Sequence, residues 1–456
     1  MSTRGCLPEP EPSMLSPFRS QKVLVPMLLL AAVLRLGLAV ALKPEPIWPD
    51  GKRYNAIAEH ILTKGHFPVF GHRSAPLHPL VITGVYAIFG HNGTVARVFF
   101  GILGTLTCWL AYILTRDLFG RSSGVVAMAL LSVYPLHVYL SASYEYPQAL
   151  FAFLLTGLML VLVRLQADPS GWSRWVLGGL LLALAALAIP TILTAAPLIG
   201  LLLWYQGRKR WLVRAGKVAG MGATCLLVVL CWSWHWYQVS GQKQLIGGQG
   251  PEALWKGNCA LAWDPRKSDV ADLYTQHGVP QEKREAFEEF ISVNEEAKSF
   301  PPGQQRNAVY LRAVKQRFAE HPGEQAALLG YKALMFWFPY ALTTTNPWTD
   351  SIFTIFTQVL QAATFLPILL LALWSTLKAR RAMGARLVIF HIVIVTQWLT
   401  YTALMVSARY RSNIDVLLIA LASPVVVSLG QRFCRRRRKA NRHDSNVPAA
   451  TQKTAV

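Results

Sequence analysis

Residues 175–207 read WVLGGLLLALAALAIPTILTAAPLIGLLLWYQG, without one Asp, Glu, Lys or Arg. An α-helix crosses a hydrocarbon core of ~30 Å with roughly 20 apolar residues. This stretch is therefore too long for a single crossing, and Ile189-Pro190-Thr191 is where it turns or kinks. Other charge-free stretches run 122–144, 146–163, 218–242, 351–377, 387–408 and 416–431. Arg35 alone interrupts 23–42, and Arg97 alone interrupts 77–115. The chain reads as an all-α integral membrane protein. Its expected form is a polytopic helical bundle of about 10–12 transmembrane helices, with an amphipathic first outer loop and one large extracytoplasmic loop.

Composition supports this. Of 456 residues, 53% are hydrophobic and 15% charged, with a net charge of +22. A disordered chain needs low hydrophobicity, and a soluble nucleic-acid binder would share the basic balance but not the apolar runs. Ala39-Val40-Ala41 resembles a signal-peptide cleavage site, but Arg35 lies within the run and many spans follow. An uncleaved first helix is the better reading.

Basic clusters at 4–22, 116–121, 164–174, 208–217, 378–386 and 432–442 belong in the cytoplasm by the positive-inside rule. That leaves 43–76, 239–350 and 409–415 outside. Between 77 and 115 the chain must then cross an odd number of times. Gly90-His91-Asn92-Gly93 splits this stretch, so the short 77–89 piece is expected to be re-entrant or steeply tilted. The organisation expected is a cytoplasmic N-terminus (1–22) and a membrane catalytic module (23–238) with its first outer loop at 43–76. An extracytoplasmic loop (239–350), C-terminal spans (351–431) and a basic cytoplasmic tail (432–456) follow. Residues 239–325 hold twelve of the 23 acids but eleven of the 45 basic residues, as befits a soluble insert. Helices are predicted there around 281–298 and 304–319, the second ended by His321-Pro322-Gly323. Only Cys259 of the six cysteines lies in that loop, so no disulfide framework is implied. No internal repeat and no Walker, Rossmann, CxxC or HExxH pattern occurs. Arg435-Arg436-Arg437-Arg438-Lys439 directly follows a span, so it reads as a topology determinant contacting anionic lipid, not a nucleic-acid tag.

The informative polar segment is Pro49-Asp50-Gly51-Lys52-Arg53-Tyr54-Asn55-Ala56-Ile57-Ala58-Glu59-His60-Ile61-Leu62. Tyr54, Ile57, Ala58, Ile61 and Leu62 recur at helical spacing, which predicts an amphipathic helix lying in the membrane interface. Asp50 stands where a carboxylate can cap that helix. Arg73-Ser74-Ala75-Pro76-Leu77-His78-Pro79-Leu80 follows, then Tyr86-Ala87-Ile88-Phe89-Gly90.

This ordered set resembles the C-type glycosyltransferases, and within them the branch of protein O-mannosyltransferases and aminoarabinose lipid A transferases. Further similar segments are Arg116-Asp117-Leu118-Phe119-Gly120-Arg121, Ser141-Ala142-Ser143-Tyr144-Glu145 and Leu254-Trp255-Lys256-Gly257-Asn258. Tyr331-Lys332-Ala333-Leu334-Met335-Phe336-Trp337 and Arg409-Tyr410-Arg411 complete the series. Asp50 is followed by Gly51, where protein mannosyltransferases carry a second acid, and the Lys-Pro-Pro of the aminoarabinose enzymes is here Ser-Ala-Pro.

The resemblance implies a membrane enzyme that moves a hexosyl or pentosyl group from a polyprenyl-phosphate donor to a hydroxyl of a lipid, glycan or protein. Inversion at the outer or lumenal face is implied, in a bacterial inner membrane or the endoplasmic reticulum. The alternative class is a transporter or flippase of a lipid-linked sugar, but such proteins commonly show repeated halves. In such a reaction the acceptor hydroxyl must lose a proton, and a carboxylate serves as base. The departing phosphate needs cations. Asp50 is the expected base, Glu145 the second carboxylate, and Arg73, Lys52, Tyr54, Arg409 and Arg411 the expected substrate and phosphate contacts. Arg35, deep in the first span, is expected to need a structural partner. Histidines 60, 66, 72 and 78 crowd the first loop without a metal signature, which leaves dependence on a divalent cation open. Trp48, Trp255, Trp263, Trp337 and Trp348 fit an aromatic belt.

Overall fold

A computed structural model of the protein describes residues 21–43, 45–46, 48–207, 210–247, 249–263, 279, 281–338, 352–379 and 384–444. The N-terminal 20 residues, Trp348 and the tail beyond 444 lie outside these. Among the described residues the regular structure is helical throughout, without a strand.

The apolar α1 (Leu24–Ala41) leads to α2 (Pro49–Lys64). Pro49 starts α2, where its missing N–H costs nothing, and Gly65 ends it at φ 75°. α2 buries Gly51, Tyr54, Ile57 and Ala58, the stripe read from its periodicity, while Leu62 is exposed. A 3-10 turn (Val69–Arg73) leads to α3 (Leu77–Phe89) and then α4 (Gly93–Phe119). The Gly90–Gly93 break separates them, and Asn92 caps α4 by accepting from the Thr94 N–H at 2.8 Å.

α5 (Arg121–Val133) and α6 (Pro135–Ala142) meet at 62°. Pro135 explains the bend, because its ring excludes the carbonyl of Leu131 from the ladder. Leu131 O, which accepts from the Tyr134 N–H at 3.4 Å, and Ser132 O are both met by Arg35 on α1. Its Nη2 donates to Leu131 O at 2.9 Å and its Nη1 to Ser132 O at 3.0 Å. The structural partner expected for Arg35 is thus not a carboxylate but the pair of carbonyls at this bend, with Ala31 O on α1 itself at 3.2 Å.

α7 (Gln148–Ala167) and α8 (Trp172–Ala188) follow; α8 ends one residue before Ile189. A 3-10 turn (Pro190–Thr194) then redirects the chain into α9 (Ala196–Gln206), so the long charge-free stretch breaks where its proline stands. α10 (Trp211–Ser240) closes this part. The insert comprises α11 (Gly250–Lys256), α12 (Arg284–Lys298), α13 (Gln304–Glu320) and α14 (Pro322–Met335). It owns a small core in which Trp255, Phe290, Val309 and Tyr310 meet. α15 (Ile352–Ala379), α16 (Gly384–Ala403) and α17 (Ala408–Asp444) complete the chain.

Seven of these helices, α1, α4, α7, α10, α15, α16 and α17, are long and apolar enough to cross a membrane. The bent α5–α6 pair makes an eighth if it is one span, and α3, α8 and α9 are shorter apolar helices. The protein is a multi-pass membrane bundle, with α4 packed centrally against α1, α5 and α7. α2 and the α16–α17 turn meet at one end of it.

Candidate active site

Pro49 begins α2, so Asp50 falls in the first helical turn, with its carboxylate beside the positive end of the helix. It does not cap α2; the N-cap residue is Trp48, which makes no side-chain capping bond. Instead Oδ1 accepts from Arg53 Nη2 at 2.8 Å and Oδ2 accepts from Arg409 Nη1 at 2.8 Å. Burial alone would raise the Asp50 carboxyl, but the Arg409 and Arg53 guanidiniums outweigh it and hold it below the ordinary carboxylate range.

Arg409 is itself held from both faces. Its guanidinium lies 4.4 Å from the Tyr146 ring centroid and 5.1 Å from that of Tyr410, and Nη2 donates to Tyr410 Oη at 3.2 Å. Tyr410 in turn stacks on Tyr401 at 4.7 Å, with their planes 4° apart.

The missing cap of α2 comes from Glu145, in the turn between α6 and α7. Glu145 Oε2 accepts from the Trp48 backbone N–H at 2.6 Å, and Oε1 lies 3.7 Å from Arg97 Nη2. Both side chains are buried. A Cβ placed on Gly51 would come within 2.8 Å of Glu145 Cγ, so the residue after Asp50 must be glycine for Glu145 to reach the helix start. The structure therefore brings both sequence-predicted carboxylates to one helical turn and uses them differently. Asp50 faces two guanidiniums with 27% of its side chain exposed, whereas Glu145 is 3% exposed.

The other predicted contacts divide. Lys52 is exposed on α2. Tyr54 is buried with its ring edge-on to His78, and burial followed by the nearby Asp50 pushes its phenol up to about 12. Arg73 turns to the insert, where Nε donates to Glu252 Oε2 at 2.8 Å. Arg411 is drawn inward; Nη1 donates to Phe338 O at 3.1 Å, and its guanidinium lies 3.6 Å from the Phe365 ring centroid.

No group of three or more His, Cys, Asp or Glu side chains among the described residues could hold a metal ion, and both Asp50 oxygens engage arginines. His72, half-buried and near Arg306 and Arg73, is pushed down to about 4 by desolvation and then by those two cations.

Arg53 and Tyr146 were not singled out by sequence reasoning. Arg53 carried a usable signal, since a cation three residues after an acid on a helix faces it. Tyr146 carried none, because it reaches Arg409 only through the tertiary fold.

Known proteins resemble this chain in sequence and in fold. A family model described as dolichyl-phosphate-mannose-protein mannosyltransferase matches residues 73–235. The undecaprenyl phosphate-alpha-4-amino-4-deoxy-L-arabinose arabinosyl transferase of Enterobacter sp. (strain 638) is 28% identical over 215 residues, 42% of this chain and 38% of that protein. The archaeal oligosaccharyltransferase AglB from Archaeoglobus fulgidus, solved with an inhibitory peptide and a dolichol-phosphate, superposes with a TM-score of 0.54 at 15% identity. That likeness covers 97% of this chain and 53% of that one. The apo form of the Archaeoglobus fulgidus enzyme gives 0.53 at 14% identity, over 95% and 52%. The chain thus spans 38% of the curated relative and about half of the archaeal enzyme. Its fold is that of the C-type glycosyltransferases, and within that superfamily its sequence resembles the branch of protein O-mannosyltransferases and aminoarabinose lipid A transferases.

Proposed function

We propose that the protein transfers a sugar, hexosyl or pentosyl, from a polyprenyl-phosphate donor to a hydroxyl of a lipid, glycan or protein. The reaction is placed at the extracytoplasmic end of the bundle, with Asp50 as the general base. The observation that carries this reading is the Asp50–Arg409–Arg53 cluster at the start of the interfacial helix α2. It sets an ionised carboxylate beside two guanidiniums, the pair of functions that this transfer needs.

The acceptor oxygen attacks the anomeric carbon while its proton passes to Asp50. The bond from that carbon to the phosphate oxygen breaks, and its electron pair leaves with the phosphate, inverting the centre. Arg409 and Arg53 are the groups placed to receive the developing negative charge. A phosphate on Arg409 competes with Asp50 for the same guanidinium, which loosens the hold that keeps the carboxylate weakly basic. Glu145, buried and capping α2, fixes the direction from which Asp50 is presented. The lipid tail of the donor stays beside the apolar helices.

The test uses the full chain in lipid nanodiscs with polyprenyl-phosphate sugars bearing labelled hexosyl or pentosyl groups, and a panel of lipid and peptide acceptors. Transfer of label by the wild type, lost in Asp50→Asn with helicity and a cooperative melt retained, is the expected result. Transfer that survives Asp50→Asn removes the base assignment. Movement of intact donor across the bilayer without transfer removes the enzyme reading.

A further inference from the structure

The two partners of the central ion pair reach it from opposite sides, and both approaches lead back to the short helix α11. On the α2 side, Arg53 Nε donates to Ser74 Oγ at 3.1 Å, and the adjacent Arg73 is paired with Glu252 of α11. Gln244 Nε2 also donates to His72 O at 2.8 Å. On the Arg409 side the junction is Lys332.

Lys332 on α14 is 2% exposed, and among the described residues no carboxylate pairs with it. Its Nζ donates to Gly257 O at 2.8 Å and Asn258 Oδ1 at 2.9 Å, just beyond α11. It also reaches Leu404 O at 3.2 Å and Ala403 O at 3.4 Å, at the end of α16. A helix C-terminus favours a cation, and these oxygens offset part of the cost of burying one. The fit around it is close. A Cβ on Gly257 would land on the Leu404 carbonyl oxygen. Asn258 Nδ2 donates to Ala403 O at 2.8 Å.

Leu404 opens the turn that leads to Arg409. α14 grips this turn on both limbs: Lys332 and the Ala333 carbonyl, which accepts from Trp398 Nε1 at 3.0 Å, hold the α16 limb. Phe338, just after α14, accepts from Arg411 on the α17 limb. The Trp-Lys-Gly-Asn and Lys-Ala-Leu-Met-Phe-Trp motifs, far apart in sequence, therefore form one clasp.

We propose that Lys332 is a positioning residue, which through Gly257 and Asn258 locks α11 to the α16–α17 turn and so presents Arg409 to Asp50 and to an anionic ligand. The proposal rests on the reading of Arg409 as a phosphate-binding group. It assigns the insert a task at the site without a catalytic contact.

The experiment titrates the full-length protein in nanodiscs with undecaprenyl phosphate as the anionic probe, and measures amide hydrogen exchange without any probe. Lys332→Met is expected to weaken probe binding about fivefold, Arg409→Gln at least about tenfold, and the double variant no more than Arg409→Gln alone. Exchange is expected to accelerate in residues 404–412 of Lys332→Met and to stay unchanged in α12. Asn258→Ala, which cuts the same clasp without burying a new side chain, is expected to reproduce both results. Losses that multiply in the double variant, or unchanged exchange at 404–412 in both clasp variants, overturn the proposal. If Arg409→Gln binds the probe like wild type, the donor-site reading fails, and exchange at 404–412 still decides whether Lys332 holds the turn.

Discussion

Asp50 and Arg409 are separated by 359 positions in the chain and by 2.8 Å in space. The helix that follows α1 and the α16–α17 turn thus close on each other through one ion pair, and the chemistry proposed for the protein depends on it. Replacing Asp50 by Asn keeps the shape and removes the base. Transfer is expected to fall by about 100- to 10,000-fold, the usual worth of general base catalysis. Initial rates with a fixed labelled donor measure it.

The same pair predicts a pH dependence. The carboxyl of Asp50 is held below its ordinary value of 3.8 by Arg409 and Arg53, against the opposing effect of burial. A depressed carboxyl stabilises the fold above the unfolded value, and this contribution is lost as pH falls through the folded value. The acid limb of kcat/KM is therefore expected below the usual carboxylate range, and Arg53→Gln should move it upward. An acid limb that stays in place in Arg53→Gln assigns it to another group.

Gly51 predicts a steric conflict. Alanine there meets the Glu145 side chain at 2.8 Å, with Glu145 fixed by the Trp48 N–H and Arg97. Overpacking of this kind costs about 1–3 kcal/mol. Gly51→Ala should lower the melting temperature in detergent, and Glu145→Ala should lower it too by uncapping α2. Together they should cost less than the sum of the two, because Glu145→Ala removes the Cγ and Oε2 contacts at 2.8 and 3.0 Å and leaves only the one with its Cβ at 2.9 Å. Strict additivity in the melting data would show that the two residues do not touch.

Lys332 makes a thermodynamic prediction of the same sign as that of Asp50, in a higher pH window. Burial pushes its ammonium from 10.5 down to about 7, with Cys259 opposing. Between these values the unfolded chain binds a proton that the folded chain does not, so stability rises with pH there. Wild-type melting temperature should gain on that of Lys332→Met from pH 7 toward pH 10. Parallel curves for the two proteins contradict a buried, depressed amine.

Much of this architecture was legible before any coordinates. Pro190 breaks the 175–207 stretch, Gly90 and Gly93 split 77–115, and the stripe Tyr54, Ile57, Ala58 faces inward, because period and backbone chemistry are local properties. Asp50 is singled out by the family resemblance, whereas local chemistry alone reads it as a helix cap. What could not be read was pairing across the fold. Arg73, Arg409 and Arg411 look alike in sequence as cations near an outer face. Only packing sends Arg73 to Glu252, Arg411 to Phe338 O and Arg409 to Asp50. The burial of Glu145 against Gly51 depends on a contact between the α6–α7 turn and α2 that no periodicity reports.

Arg35 precedes the Ser132 carbonyl it serves by 97 residues. During synthesis it must therefore reach the bilayer long before the bent helix exists. Alone, α1 offers its guanidinium only Ala31 O one turn earlier, at 3.2 Å, and alone, the α5–α6 bend lacks a side-chain donor for Ser132 O. Each is poorly soluble in lipid, and together they cancel. Insertion is therefore expected to be ordered, with α1 reaching its final depth only once the α5–α6 bend is present to receive Arg35.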